Sequence, residues 1–278
     1  MSKKKNKNNV QKRDDLQSKF QEQHRYNNFG NVLNQIHAKG FRCHTNTLIN
    51  VKSPITAFCG LNGVGKSTLI QLAATAYLGN TQQEKTYYIS DFINSHKFDP
   101  KPCTDNAQVE YKYWQQEGNL KKLTITKKIG GGWDGHHRRP KRKVLYIGVG
   151  SYLPKVEKSD FITRYPNEIE LLNSMPVEPY IQEWICKILS KSYDEITSHT
   201  FKFRKKTDKI HSVKQNGINY SEPHMGYGEA RSQYLIRLFE ALPNKSLILI
   251  EEPEISLHPS AQYKFGCYLV DVSLRGCL

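Results

Sequence analysis

At 278 residues, the chain is long enough for one large α/β domain with a sizeable core. A net charge of +15 and a mean hydropathy of −0.66 mean that polar insertions or tails accompany that core. No run approaches the roughly 18 apolar residues that span a bilayer, and no apolar stretch follows the charges at the amino terminus, so a cytoplasmic protein without a membrane span is expected. The six cysteines are scattered without a C-x-x-C pair or metal-like spacing to the ten histidines, which argues against a disulfide scaffold or a zinc site. Positive charge is concentrated in three stretches: 1–13 with six basic side chains and no acid, 121–143 with nine against Asp134, and 202–214 with six against Asp208. Together these hold more than the whole net charge, and such local basic density attracts polyphosphates, nucleic acid or anionic surfaces.

In chain order, residues 1–25 are rich in Lys, Asn and Gln and poor in apolar side chains, the composition of a flexible basic arm. The remainder, 26–278, reads as one α/β domain. Phe41–Cys43, Leu48–Val51 and Ile55–Cys59 read as short strands leading to a glycine loop, and Ser67–Leu78 follows at helical periodicity until Gly79-Asn80. Apolar and polar residues alternate from Ala107 to Lys128 on either side of Glu117-Gly118-Asn119, a β-hairpin pattern. The Gly130–Gly132 run reads as a mobile loop and Val144–Val149 as a strand. Glu178–Leu189 reads as a helix, Phe201–Tyr220 as a polar β-stretch or loop, and Glu229–Leu242 as a helix ended by Pro243. Leu247–Ile250 reads as a strand buried on both faces and Gln262–Val272 as a last helix.

Two motifs carry chemistry. Gly60-Leu61-Asn62-Gly63-Val64-Gly65-Lys66-Ser67 is a full G-x-x-x-x-G-K-[ST] between a predicted strand and a predicted helix. Glycines allow successive N–H groups to turn in around phosphate oxygens, the helix start adds partial positive charge, Lys66 reaches the outer phosphates of ATP, and Ser67 holds Mg²⁺. Asn62 and Thr68 complete this nucleotide-binding set. The second motif is the apolar strand Leu247–Ile250 running into Glu251-Glu252-Pro253-Glu254. A carboxylate at the carboxyl end of such a strand meets the metal, and the next can polarise water; here Glu251 is the metal residue and Glu252 the general base.

The loop resembles the G-x-N-G-x-G-K-S segment of ABC-type ATPases of the SMC and OLD branch, and Glu251 to Pro259 is similar to the E-E-P-E-x-x-L-H-P stretch of OLD-like heads. This resemblance implies a P-loop NTPase fold of the ABC type, with a mainly parallel core sheet, an antiparallel β subsheet and a helical arm insertion over about 95–220. It also implies a homodimer of heads, with Ser256–Pro259 as the loop that touches the partner. Met225-Gly226-Tyr227-Gly228-Glu229 resembles the family's Leu-Ser-x-Gly-Glu signature, so Gly226, Gly228 and Glu229 are expected to contact the nucleotide of the opposite head. Gly226 stands where the family commonly has Ser. Gln108, Gln115 and Gln116 are alternative candidates for a Mg²⁺-sensing glutamine, and the strand carrying a switch histidine is expected beyond Leu278.

Three classes of function follow. The first is an ATP-hydrolysing head acting on DNA without sequence preference, in repair or anti-phage defence, with an effector nuclease in another chain. The second is a truncated or non-hydrolysing remnant that only binds ATP. The third, the ATP-binding subunit of a transporter, is disfavoured by the E-E-P-E-x-x-L-H-P ending and by the long span from Lys66 to Gly228.

Overall fold

A computed structural model describes residues 8–151 and 161–276. The chain divides into two compact units, residues 1–147 with 243–251 and 270–278, and residues 148–242 with 252–269.

The first unit begins with two helices, α1 (Asn9–Lys19) and α2 (Glu22–Phe29). From Asn9 onward the expected flexible arm is therefore helical. Asn8 and Gln11 close a reciprocal capping box at the start of α1. Leu16, Phe20 and Phe29 are buried with Val32 and Trp114, and the Arg25 guanidinium lies over the Phe20 and Trp114 rings at 4.3 and 4.7 Å. Three apolar residues correctly spaced suffice to anchor a segment whose average composition is that of a coil.

β1 (Val32–Phe41) and β2 (His44–Asn50) form an antiparallel pair whose turn places Arg42 at φ +46°. The sequence reading caught only the end of β1, because Asn34, Gln35, His37 and Lys39 interrupt its apolar residues. With β3 (Cys103–Trp114), β4 (Leu120–Lys127) and β5 (Trp133–Asp134) these strands make a five-stranded sheet in the order β2-β1-β3-β4-β5, and the expected 107–128 hairpin is its β3–β4 pair. No strand forms over Ile55–Cys59: Ile55, Thr56, Ala57 and Cys59 are exposed and only Phe58 turns toward the core. α3 (Lys66–Ala74) and the short α4 (Ile89–Phe92) follow.

Among the described residues β6 (Val144–Ile147) and β11 (Leu247–Ile250) are the strands that pair in parallel, with an isolated parallel bridge between Leu78 and Lys141, so the expected mainly parallel sheet is two strands here. β11 is half-buried along its length, where burial on both faces was expected. α3 packs on both of these strands.

The second unit is built on a four-stranded antiparallel sheet, β10-β9-β8-β7, from β7 (Ile169–Pro176), β8 (Glu195–Phe203), β9 (Lys206–Gln215) and β10 (Ile218–Ser221). Its helices are α5 (Phe161–Arg164), α6 (Pro179–Leu189), α7 (Tyr227–Glu240) and most of α8 (Pro259–Leu274). Trp184, Phe239, Phe265 and Tyr268 stack in its core. The 95–220 region, expected as a helical arm, thus holds more strand than helix, because period-two alternation dominates both 103–127 and 195–221.

Candidate functional site

The glycine loop and α3 lie in the first unit. Gly63 and Gly65 have φ of +82° and +91°, and Gly65 is the N-cap residue of α3. No side chain caps that helix start, so the leading N–H groups at Lys66 and Ser67 face outward with the helix dipole behind them. Lys66 folds back over the loop, donating from Nζ to the Gly60 and Leu61 carbonyls at 2.8 and 2.9 Å. Asn62 and Ser67 are exposed, whereas Thr68 is buried, where its hydroxyl accepts from Arg42 at 3.3 Å. Thr68 therefore braces the helix from inside.

The other end of α3 is fastened by side chains of β3 and of the segment before β6. The Tyr111 hydroxyl donates to the Leu72 carbonyl at 2.8 Å, the Tyr113 hydroxyl to Ala76 at 2.6 Å, and Arg139 Nη1 to Thr75 at 2.8 Å. They add side-chain donors to Leu72, whose carbonyl also accepts from the Thr75 N–H, and to Thr75 and Ala76 just beyond the helix. Burial pushes the Tyr111 and Tyr113 hydroxyls far above their ordinary range, so both remain donors. The alternation read over 107–128 already puts Tyr111 and Tyr113 on one face with Ala107 and Val109, and that face is the buried one; the carbonyls that their hydroxyls reach lie far away in sequence.

Glu251 follows β11, its N–H donating to the Ile147 carbonyl at 2.9 Å. Its carboxylate and Gln71 of α3 both engage the Tyr146 hydroxyl of β6, whose pKa is raised first by burial and also by the Glu251 charge. Glu251, expected as the metal residue, is therefore linked to the helix of the glycine loop through one tyrosine that sequence reading missed. The donor set fits Mg²⁺: a serine hydroxyl and a carboxylate are hard oxygens, and this ion, when shared with phosphates, takes one or two protein ligands. Of the three glutamine candidates, Gln108 lies in β3 opposite Lys39 and Thr126, Gln115 donates to Asn31 at 3.3 Å, and Gln116 is exposed.

The signature segment, Glu252 and the residues after it belong to the second unit. Gly226 caps α7 with its backbone alone. Gly228 approaches the Ser256 carbonyl so closely that a Cβ would overlap it. Arg231, 3% exposed, donates to the Glu252 carbonyl at 2.7 Å and to Ile255 at 3.0 Å. Glu252 and Ser256 both take positive φ, +46° and +63°, a strained conformation for residues with a Cβ. The Glu229 side chain is committed elsewhere: it accepts from Lys191 at 2.6 Å, Tyr193 at 2.7 Å and Tyr220 at 2.9 Å. These three bonds anchor the start of α7.

The basic stretch 121–143 proves partly structural. Arg139 and Arg142 are buried on main-chain carbonyls, while Lys122, Lys127, Lys128 and Lys143 pair with Glu110, Asp105, Asp134 and Glu84. No helix among the described residues is long and apolar enough to cross a membrane.

A search of curated proteins finds no match. The family model described as AAA domain matches residues 35–243, about three quarters of the chain, including the glycine loop, α3 and the signature segment. With a phosphate loop on an outward-facing helix start and a carboxylate tied to that helix, the chain belongs to the AAA domain family, a class of P-loop ATP-binding proteins.

Proposed function

We propose that this chain is an ATP-hydrolysing head of the SMC and OLD kind, a cytoplasmic protein that works as a homodimer. The observation that supports this best is the glycine loop, with Lys66 strapped across its own carbonyls ahead of a helix that is uncapped at the front and fastened at the back. On ATP binding, the Lys66 ammonium exchanges those two carbonyls for phosphate oxygens, a stronger charge-assisted contact. The loop amides around Asn62 and Gly63 and those at Gly65 to Thr68 surround the phosphates. Ser67 and Glu251 would hold Mg²⁺, which when bound neutralises phosphate charge. Glu252, the next residue along, accepts a proton from the attacking water. Gly226 and Gly228 offer backbone N–H groups to the nucleotide of the opposite head, since Gly226 brings no hydroxyl and the Glu229 carboxylate is occupied.

Lys66→Ala is expected to abolish Mg·ATP binding, measured by titration calorimetry. Glu252→Gln is expected to retain binding while turnover falls about 10²–10⁴-fold. Equal affinity in Lys66→Ala and the parent rules out the site. Binding without turnover in the parent favours instead a head that only senses ATP.

A nucleic-acid partner, with any nuclease carried by another chain, is the further part of this reading. Its support is the β8–β9 hairpin tip, where Lys202, Arg204, Lys205, Lys206 and Lys209 are all exposed. There the Tyr165 and Phe203 rings stack at 6.1 Å, with the Arg204 guanidinium 5.6 and 4.9 Å from them. Arg204 also pairs with Glu168, and the cations around it, beside the exposed Tyr165 and half-buried Phe203 rings, suit phosphates and bases.

A further inference from the structure

The turn between β1 and β2 lies directly against the last residue of the glycine loop. His44, which opens β2, is 5% exposed and held at both ring nitrogens, with Nε2 3.0 Å from the Gly65 carbonyl oxygen and Nδ1 3.0 Å from the Thr47 hydroxyl. A carbonyl only accepts, so Nε2 carries the proton; in the neutral ring Nδ1 then accepts from Thr47. The two bonds fix both the tautomer and the plane of the imidazole. The same Gly65 oxygen accepts the first intrahelical bond of α3, from the Leu69 N–H at 3.1 Å. A Cβ on Gly65 would overlap both His44 Nε2 and Cys43 Sγ, so the ring sits in space that only glycine leaves open.

We infer that His44 is a positioning residue for nucleotide binding: by holding the Gly65 carbonyl it sets the peptide plane that leads into Lys66 and Ser67. This rests on the ATP-binding reading above. The ring is remote from the phosphates and acts through Gly65. It joins the rigid antiparallel sheet to the one peptide whose rotation would turn the Lys66 amide, and with it the start of α3, away from a bound anion. Arg42 braces the next turn of the helix through Thr68 and reaches the Phe92 carbonyl at 3.1 Å, so the whole β1–β2 turn supports the loop from behind.

The test compares Mg·ATP affinity, saturated turnover and thermal midpoint in the full chain and in His44→Gln, His44→Asn and His44→Leu. A glutamine amide nitrogen reaches the place of Nε2, whereas that of asparagine reaches only the place of Nδ1. His44→Gln is expected to stay within about 3-fold of the parent Kd, while His44→Asn and His44→Leu weaken binding about 10-fold, with saturated turnover changed much less. Rescue by Gln but not by Asn is the result a purely structural histidine would not give. If the leucine variant fails to fold, the Asn and Gln pair decides by the same criterion. Folded variants that all bind Mg·ATP as the parent does, whatever their thermal midpoints, overturn the inference alone. A parent that does not bind Mg·ATP overturns the ATP reading and the inference with it.

Discussion

In residues 121–143 the two deepest cations, Arg139 and Arg142, are 3% and 7% exposed and end on main-chain carbonyls, whereas in 202–214 every lysine and arginine stands at the surface. Arg139 donates to His136, Thr75 and Tyr87 at 2.7–2.8 Å; Arg142 donates to Lys245, Asn31 and Ser246 at 2.9–3.2 Å. Burial pulls the Arg139 guanidinium below its ordinary pKa. The difference lies in the side chain. A guanidinium has five donors in a planar fork and is weakly hydrated, so it can gather carbonyls from several segments; an ammonium is a compact, strongly hydrated charge that stays in water. The first stretch commits Arg139 and Arg142 to holding the first unit together, and the second, mostly lysine, keeps its cations at the surface, where Lys202 and Arg204 pair with Glu170 and Glu168.

The largest effects are expected where that comparison is broken at the buried pair. Arg142→Met removes the guanidinium from the Lys245, Ser246 and Asn31 carbonyls, of which Asn31 keeps the Tyr77 hydroxyl, and is expected to cost about 3 kcal/mol in urea unfolding. Arg142→Lys should recover little of it, because one ammonium cannot replace a fork aimed at three carbonyls on two segments. Arg139→Met should approach the same cost and also weaken nucleotide binding, since Arg139 secures the Thr75 carbonyl behind α3. A loss below about 1 kcal/mol in both would show that water replaces the guanidinium and that the stretch is ordinary surface.

Charge reversal at Lys205, Lys206 and Lys209 sharpens the comparison from the other side. Stability should change by less than about 0.5 kcal/mol, while affinity for double-stranded DNA at low salt falls about tenfold and the dependence of log K on log[salt] flattens by about 0.9 per lost phosphate contact. Reversal at Arg138 and Lys141, two of the exposed cations of the first stretch, is the control and should do less. An unchanged salt slope in the hairpin variant removes the argument for nucleic acid as partner.

The local chemistry was legible wherever one short run of sequence carries it. The glycine loop, the carboxylates after Leu247–Ile250, the β3–β4 hairpin and the helix beginning near Gly228 are all patterned within a few residues of themselves. What stayed hidden depends on partners far apart in the chain. Arg139 reaches Thr75 and Tyr87, Tyr146 joins Gln71 to Glu251, and His44 reaches Gly65; nothing in their immediate neighbours marks them. Composition misled at both extremes. Residues 9–25 look like coil yet fold on Leu16 and Phe20, and Ile55–Cys59 looks like strand yet stays unpaired and mostly exposed.

Each basic stretch also keeps one histidine neutral, and the weakest test separates them by pH. His211 of β9, 3% exposed, is held down to about 3 by burial and then by Arg237; His136, half-buried, is held down to about 4 by burial and then by Arg139. Above about pH 6.5 the ring is neutral in both folded and unfolded chains and contributes nothing to pH dependence. As pH falls below that, the unfolded chain takes up a proton that the folded ring refuses, so stability declines until the folded value is reached near 4 for His136 and near 3 for His211. One refused proton can tilt unfolding free energy by at most about 1.4 kcal/mol per pH unit, and carboxylates titrate across the same range, so the measurement is a difference of slopes between variant and parent. Between pH 6 and 4.5, His211→Gln should flatten the decline by about 1.2 kcal/mol per unit. His136→Gln should flatten it less, because its ring is closer to water. Identical slopes in the parent and His211→Gln would mean that the ring accepts its proton in the folded chain, and that β9 opens to water as readily as the hairpin tip beside it.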